Sequence, residues 1–221
     1  MSLFTLFFKP IGRQAVHQVL LHRARNPQQP QAGRWTKRDV TKLMDETWRR
    51  YAAFEPGLPQ EATVGSRLSV RLATLDICLY QTLLETGMER NDAIQLVSDI
   101  NWYVYKRGMK LPKWLAGMIT RDPVRQMQVI SNLIMTKFPF NPPGFQSNML
   151  ASERGGRFDV LRCPVADQMR ALLPEQEARN LCVATWCIQD YAAAELWGGR
   201  LERSGTIANG ADRCDFHFVI D

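Results

Sequence analysis

"RLERSGTIANGADRCDFHFVI", residues 200–220, holds two short runs of apolar and polar residues on either side of a polar turn. The reading is a pair of strands, Arg200–Ala208 and Cys214–Ile220, because Asn209-Gly210 is a strong turn signal. A period of two puts Cys214, Phe216 and Phe218 on one face of the last strand and Asp215, His217 and Val219 on the other.

Upstream of this hairpin lie helical patterns at about Val165–Leu173 and Glu175–Leu196, stopped by Gly198-Gly199. Before them, Phe145–Glu153 and Arg157–Cys163 read as strands joined across Arg154-Gly155-Gly156. Pro164 ends the second, and Phe158, Val160 and Cys163 are its candidate inward residues. The order is ββααββ.

Helical periodicity dominates everything earlier. One helix is expected over Arg13–Arg25, broken by "NPQQPQAGRW". Thr36, with Asp39 three residues on, should start a second helix to about Phe54, its stripe running through Val40, Leu43, Met44, Trp48 and Tyr51. Ser66 is the expected cap of a largely apolar helix to about Glu85, closed by Gly87, and another helix ends at Gly108. Shorter ones follow at Pro112–Thr120 and Asp122–Phe138, the latter with Asp122 as cap and Pro123 at its first position. The fold class is therefore α+β, a helical N-terminal part over 1–144 packed with a C-terminal antiparallel sheet unit over 145–221 and sharing its core.

An apolar share of 45% with 23% charged residues is the balance of a globular chain. The net charge of +6 comes from scattered Lys and Arg, which speaks against nucleic acid as a partner and favours an anionic small-molecule substrate. Five cysteines are an odd number, and no secretory signal precedes them, so they read as thiols in a reducing cytoplasm. "MSLFTLFFKP" is too short an apolar run for a transmembrane segment, leaving a docked segment or a membrane-surface foot. Six tryptophans leave room for the interface of a homo-oligomer.

Several groups have the composition of a reactive site. Cys187 and Asp190 are three residues apart and so share a helical face. A carboxylate alone raises a thiol pKa, so that pair needs a cation, which Arg200, Arg203 or Arg213 can supply. Asp215 and His217 lie about 7 Å apart along their strand, near enough to serve one substrate. Cys214 is either core packing or a nucleophile. Zinc held by Cys163, Cys187 and Cys214 with Asp190 or His217 competes, but no CxxC or HxxxH supports it, and no cofactor is expected. A phosphate-binding glycine loop, a GxSxG elbow and HExxH are all missing, and His17 and His22 read as surface residues.

The ordered set "RCP" (162–164), "CIQD" (187–190) and "RSGTIANGADRCDFHF" (203–218) resembles the C-terminal half of the L-2-amino-thiazoline-4-carboxylic acid hydrolase family. The matching positions are Cys187 and Asp190, Arg203 and Thr206, Gly210, then Cys214, Asp215, Phe216 and Phe218, with Cys163 as a looser match. The resemblance implies hydrolytic opening of a 2-amino-thiazoline ring on a route to L-cysteine. Such a reaction needs a nucleophile, a proton donor and a carboxylate anchor. Cys187, Cys214 or a water activated by Asp190 can attack, Asp215 or His217 can move the proton, and Arg203 with Thr206 can hold the substrate. The last 75 or so residues also look like vinyl-reductase-like ligand-binding domains, whose non-catalytic small-molecule binding is the second reading.

Overall fold

The computed structural model describes residues 2–221 and carries nine α-helices and four strands among them. The chain forms two compact units, one of residues up to Leu58 with Thr74–Val104, the other of Pro59–Ala73 with Tyr105–Asp221.

The first unit is helical. Helix α1 covers Leu3–Leu20, well before the expected start at Arg13, and contains Pro10. The Ser2 hydroxyl caps it by accepting from the Thr5 N–H. Its Phe4 ring packs 5.3 Å from Tyr51 and 6.2 Å from Trp48, and this aromatic burial offsets the hydrogen bond that Pro10 cannot make. Helix α2, Lys37–Phe54, begins with the expected capping box: Thr36 accepts from the Asp39 N–H, and the Asp39 carboxylate accepts from the Thr36 N–H. The whole expected stripe from Val40 to Tyr51 is buried.

Helices α3 (Val64–Glu85) and α4 (Arg90–Gly108) follow. Ser66 does not cap α3. Thr63 accepts from the Ser66 N–H, and the Ser66 hydroxyl takes the Thr63 N–H in return, so the cap lies three residues earlier than expected.

The second unit holds the sheet. Helices α5 (Lys110–Ile119) and α6 (Pro123–Asn132) lead into it, with Asp122 capping α6 through the Val124 N–H at 3.0 Å. A π-turn over Leu133–Lys137 ends the helical run where one helix to Phe138 was expected. Strands β1 (Gln146–Leu150), β2 (Gly155–Arg162), β3 (Arg200–Glu202) and β4 (Cys214–Val219) form one antiparallel sheet in the order β1-β2-β4-β3. Helices α7 (Pro164–Leu172), α8 (Glu175–Cys182) and α9 (Gln189–Trp197) lie between the hairpins in sequence, so the ββααββ order holds with the second helical stretch divided.

The alternation read from β4 is present in space. Phe158 pairs with Phe216 and Val160 with Cys214, while Asp159 pairs with Asp215 and Arg157 with His217. Rings of Phe158 and Phe216 stack at 4.8 Å, and Trp197 meets Phe218 at 5.3 Å, making one apolar face. Helix α6 packs here so closely that a Cβ on Gly156 would stand 1.8 Å from the Ser131 Oγ. Cys163 is not a strand residue facing inward; it precedes α7 as its N-terminal cap residue. On the same unit, Arg162 reaches both carboxylate oxygens of Glu61, at 2.7 and 3.0 Å, and joins the segment before α3 to the end of β2.

Strand β3 is shorter than expected because its continuation is claimed by side chains. The N–H groups of Ser204 and Gly205 both bind the Asp215 carboxylate instead of a neighbouring strand. Residues Ile207–Asn209 then form a 3-10 turn, capped by Thr206, and Gly210 closes it at φ +91°, a conformation that favours glycine.

Candidate active site

The helical stretch after Glu175 is not continuous. A π-turn over Val183–Cys187 separates α8 from α9, with the Ile188 N–H donating to the Val183 carbonyl at 2.9 Å. In a helix of 3.6 residues per turn, positions five apart point away from each other; the wider turn brings them onto one face. Cys182 and Cys187 are such a pair, and their thiols hydrogen-bond.

Around Cys187 the chain gathers further polar groups. Arg203, leaving the end of β3, donates to the Asp190 carboxylate at 2.7 Å and to the Cys187 carbonyl at 2.7 Å. Its guanidinium sits between the rings of Tyr191 and Phe216, 5.0 Å from each centroid. The arginine side chain is only 4% exposed, so its charge is tied to one carboxylate. Thr206 completes the group with a hydrogen bond from its hydroxyl to the Cys187 sulfur.

The cysteines differ in what these surroundings do to them. The hydrogen bond from Cys182 lowers the Cys187 pKa; burial and the Asp190 charge oppose it, and Arg203 and Thr206 reinforce it, leaving it below the ordinary thiol value. Cys182 is pushed well above that value, first by giving its proton to that bond and then by burial. Burial also pushes Cys163 and Cys214 up to about 12. Cys214 is buried, and its sulfur accepts the Ile207 N–H at 3.2 Å, whereas Cys187 is half-buried.

Loss of hydration raises Asp190 to about 6 in spite of Arg203. It is thus able to carry a proton near neutral pH.

Cys187, Asp190, Arg203 and Thr206 therefore converge, with Cys214 at the edge of the group. Asp215 and His217 do not join them. Burial pulls the Asp215 pKa upward, but the Ser204 hydroxyl and the Ser204 and Gly205 N–H groups hold it down at about 2, and its role is to pin the loop that carries Thr206. On the same far face, His217 bonds to the Ser152 hydroxyl at 2.9 Å and approaches the Glu202 carboxylate at 3.3 Å. Burial lowers its pKa, with Glu202 opposing and Arg157 and Arg154 assisting.

Among the described residues, no three His, Cys, Asp or Glu side chains are placed to hold one metal ion. The five cysteines are free thiols. Arg200 and Arg213, the other candidate cations for Cys187, are engaged elsewhere: Arg200 with Glu202 and Asp221, Arg213 with Asp159.

A shallow cleft, open to solvent, lies beside this group. Cys182 lines it, with Ala166, Ala178, Ala208 and Gly210, and its charged lining is Arg170 and Arg179 against Glu175. Arg170 is held by the Ile207 carbonyl and by Asp167 at 3.8 Å, while Arg179 lies over Gly210. Cys182, Arg170 and Arg179 escaped the sequence reading. The five-residue gap between Cys182 and Cys187 was the available signal, hidden by the reading of one unbroken helix.

Taken together, an α+β fold with a thiol, a carboxyl and a buried arginine at the junction of its helices and last strands defines the class. The family model for L-2-amino-thiazoline-4-carboxylic acid hydrolase matches residues 66–218, and the chain belongs to that family. No curated protein and no solved structure matches it. Among the described residues, no helix is long and apolar enough to cross a membrane.

Proposed function

We propose that the protein opens a small cyclic amidine of the 2-amino-thiazoline-4-carboxylate type by hydrolysis, with Cys187 as nucleophile. What carries this reading is the convergence of four side chains, Cys187, Asp190, Arg203 and Thr206, from two separate sequence motifs. In a non-catalytic binding module, nothing requires a half-buried cysteine of the cluster to be the one whose thiolate is favoured.

In this mechanism the Cys187 thiolate adds to the amidine carbon, and the C=N electron pair moves to the ring nitrogen, which takes the Asp190 proton. The exocyclic amino group then forms a C=N double bond to that carbon while its proton passes to the ring nitrogen, whose C–N bond breaks with its electron pair, leaving the carbon on Cys187 and a free amine on the opened ring. Water adds across that C=N bond, its oxygen to the carbon and one proton to the nitrogen; the remaining hydroxyl proton returns to Asp190 as the carbonyl forms and the Cys187 thiolate departs with the C–S electron pair. The product is an S-carbamoyl thiol. Arg203 fixes the Asp190 carboxylate against Cys187, and Thr206 holds the sulfur in line. With Arg203 occupied in this way, the substrate carboxylate falls to Arg179 in the lining of the cleft, where a guanidinium fork suits it.

The experiment is turnover of 2-amino-thiazoline-4-carboxylate followed by product mass spectrometry, in the parent protein and in Cys187→Ser and Cys214→Ser. Activity is expected in the parent and in Cys214→Ser at a reduced level, and at least a thousandfold loss in Cys187→Ser. Full activity in Cys187→Ser rules out thiol attack and favours water activated by Asp190.

A further inference from the structure

Helix α5 exposes a face that the reactive site does not use. Leu111, Trp114, Met118 and Ile119 are 57%, 61%, 60% and 69% exposed, an unusual density of large apolar side chains on a helix of ten residues. At 100° per residue they fall on one continuous arc, while Pro112 and Ala116 on the adjoining arc are buried.

The charge along the chain about this helix is one-sided. Residues 105–125, from the end of α4 to the start of α6, contain Lys106, Arg107, Lys110, Lys113, Arg121 and Arg125 against a single acid, Asp122, with Lys113 donating to the Leu196 carbonyl at 2.8 Å. That acid is spent as the cap of α6, on the N–H groups of Val124 and Arg125. The whole chain carries only +6, so nearly all of its net positive charge sits in this short stretch.

We propose that α5 is a membrane-surface helix that docks the protein on an anionic lipid bilayer. Its apolar arc enters the boundary between headgroups and acyl chains, Trp114 sits at headgroup depth, and the surrounding cations meet lipid phosphates. The pairing of an apolar face with a polybasic rim is the two-part signal that gives lasting attachment where either alone is marginal. A second copy of the chain fits less well, because a symmetric contact would bring one cationic rim against another. Attachment needs no spanning segment.

The test is co-sedimentation of the full chain with phosphatidylcholine vesicles and with vesicles containing about a third phosphatidylglycerol. Binding is expected only to the anionic vesicles and should fall at least tenfold in high salt. Two variants probe the two halves of the signal: Leu111→Ser with Trp114→Ser removes the apolar arc, and Lys110→Glu with Arg121→Glu reverses charge without touching a packed residue. Each should weaken binding at least tenfold, the second keeping the parent circular dichroism spectrum. Failure to sediment with anionic vesicles overturns the proposal, as does binding unchanged in both variants. So does a concentration-dependent dimer in analytical ultracentrifugation that the Leu111→Ser, Trp114→Ser variant abolishes.

Discussion

Arg203 and Asp190 form an ion pair at 2.7 Å in which the arginine side chain is 4% exposed and the aspartate 22%. Removing one partner leaves a buried charge uncompensated, which costs far more than the pair itself contributes. Arg203→Leu is therefore expected to lose about 3–5 kcal/mol in urea unfolding. Arg203→Leu combined with Asp190→Leu should recover part of that loss. A loss in the double variant equal to the sum of the losses in Arg203→Leu and Asp190→Leu would show that the two side chains are not coupled.

Asp190 also sets a pH dependence. With its pKa raised to about 6, the folded protein holds that proton more tightly than the unfolded chain does. Its contribution to stability is present below its ordinary value of 3.8 and is lost as pH rises through about 6. In catalysis it must donate a proton while Cys187 is ionised, so the kcat/KM profile should show an inflection near pH 6. In Asp190→Asn that inflection should vanish.

Thiol reactivity separates the cysteines. Cys187 is half-buried with its pKa lowered, whereas Cys163 and Cys214 are pushed up to about 12. Brief iodoacetamide treatment at pH 7.5 followed by peptide mapping should find Cys187 modified first, at least tenfold ahead of the others. Thr206→Val should slow that modification.

The loop carrying Thr206 depends on Asp215, whose pKa of about 2 lies below its ordinary 3.8. Because the folded value is depressed, the stabilisation is present above 3.8 and disappears as pH falls through about 2. Partial exposure screens it, so Asp215→Asn should cost about 1 kcal/mol at pH 7. Thermal unfolding of parent and variant should converge as pH drops toward 2.

Much of this was legible in the chain. Thr36-x-x-Asp39 and Asp122-Pro123 announce their helices because capping is a local hydrogen-bonding matter settled within four residues. Alternation in β4 separates Cys214 and the phenylalanines from Asp215 and His217, because a pleated strand allows nothing else. The family resemblance in 187–218 also holds. Other features depend on distant partners. Helix α1 reaches back to Leu3 only because Phe4 finds Tyr51, which no window around Pro10 contains. The π-turn that joins Cys182 to Cys187 has no composition of its own, and the early end of β3 follows from Asp215 capturing two N–H groups ten and eleven residues away. The sequence offers Asp215 and His217 as readily as Asp190. Only the sheet's two faces separate them.

In the proposed mechanism Cys187 becomes covalently bonded to the amidine carbon of the substrate. It is tested most directly by mixing the protein with excess 2-amino-thiazoline-4-carboxylate, quenching in acid within milliseconds to seconds, and mapping the peptides by mass spectrometry. The mechanism predicts a transient adduct on the peptide containing Cys187, with the mass of the ring-opened substrate, that decays as product accumulates. Product forming with no adduct on Cys187 at any time, or an adduct on Cys214 instead, would contradict it.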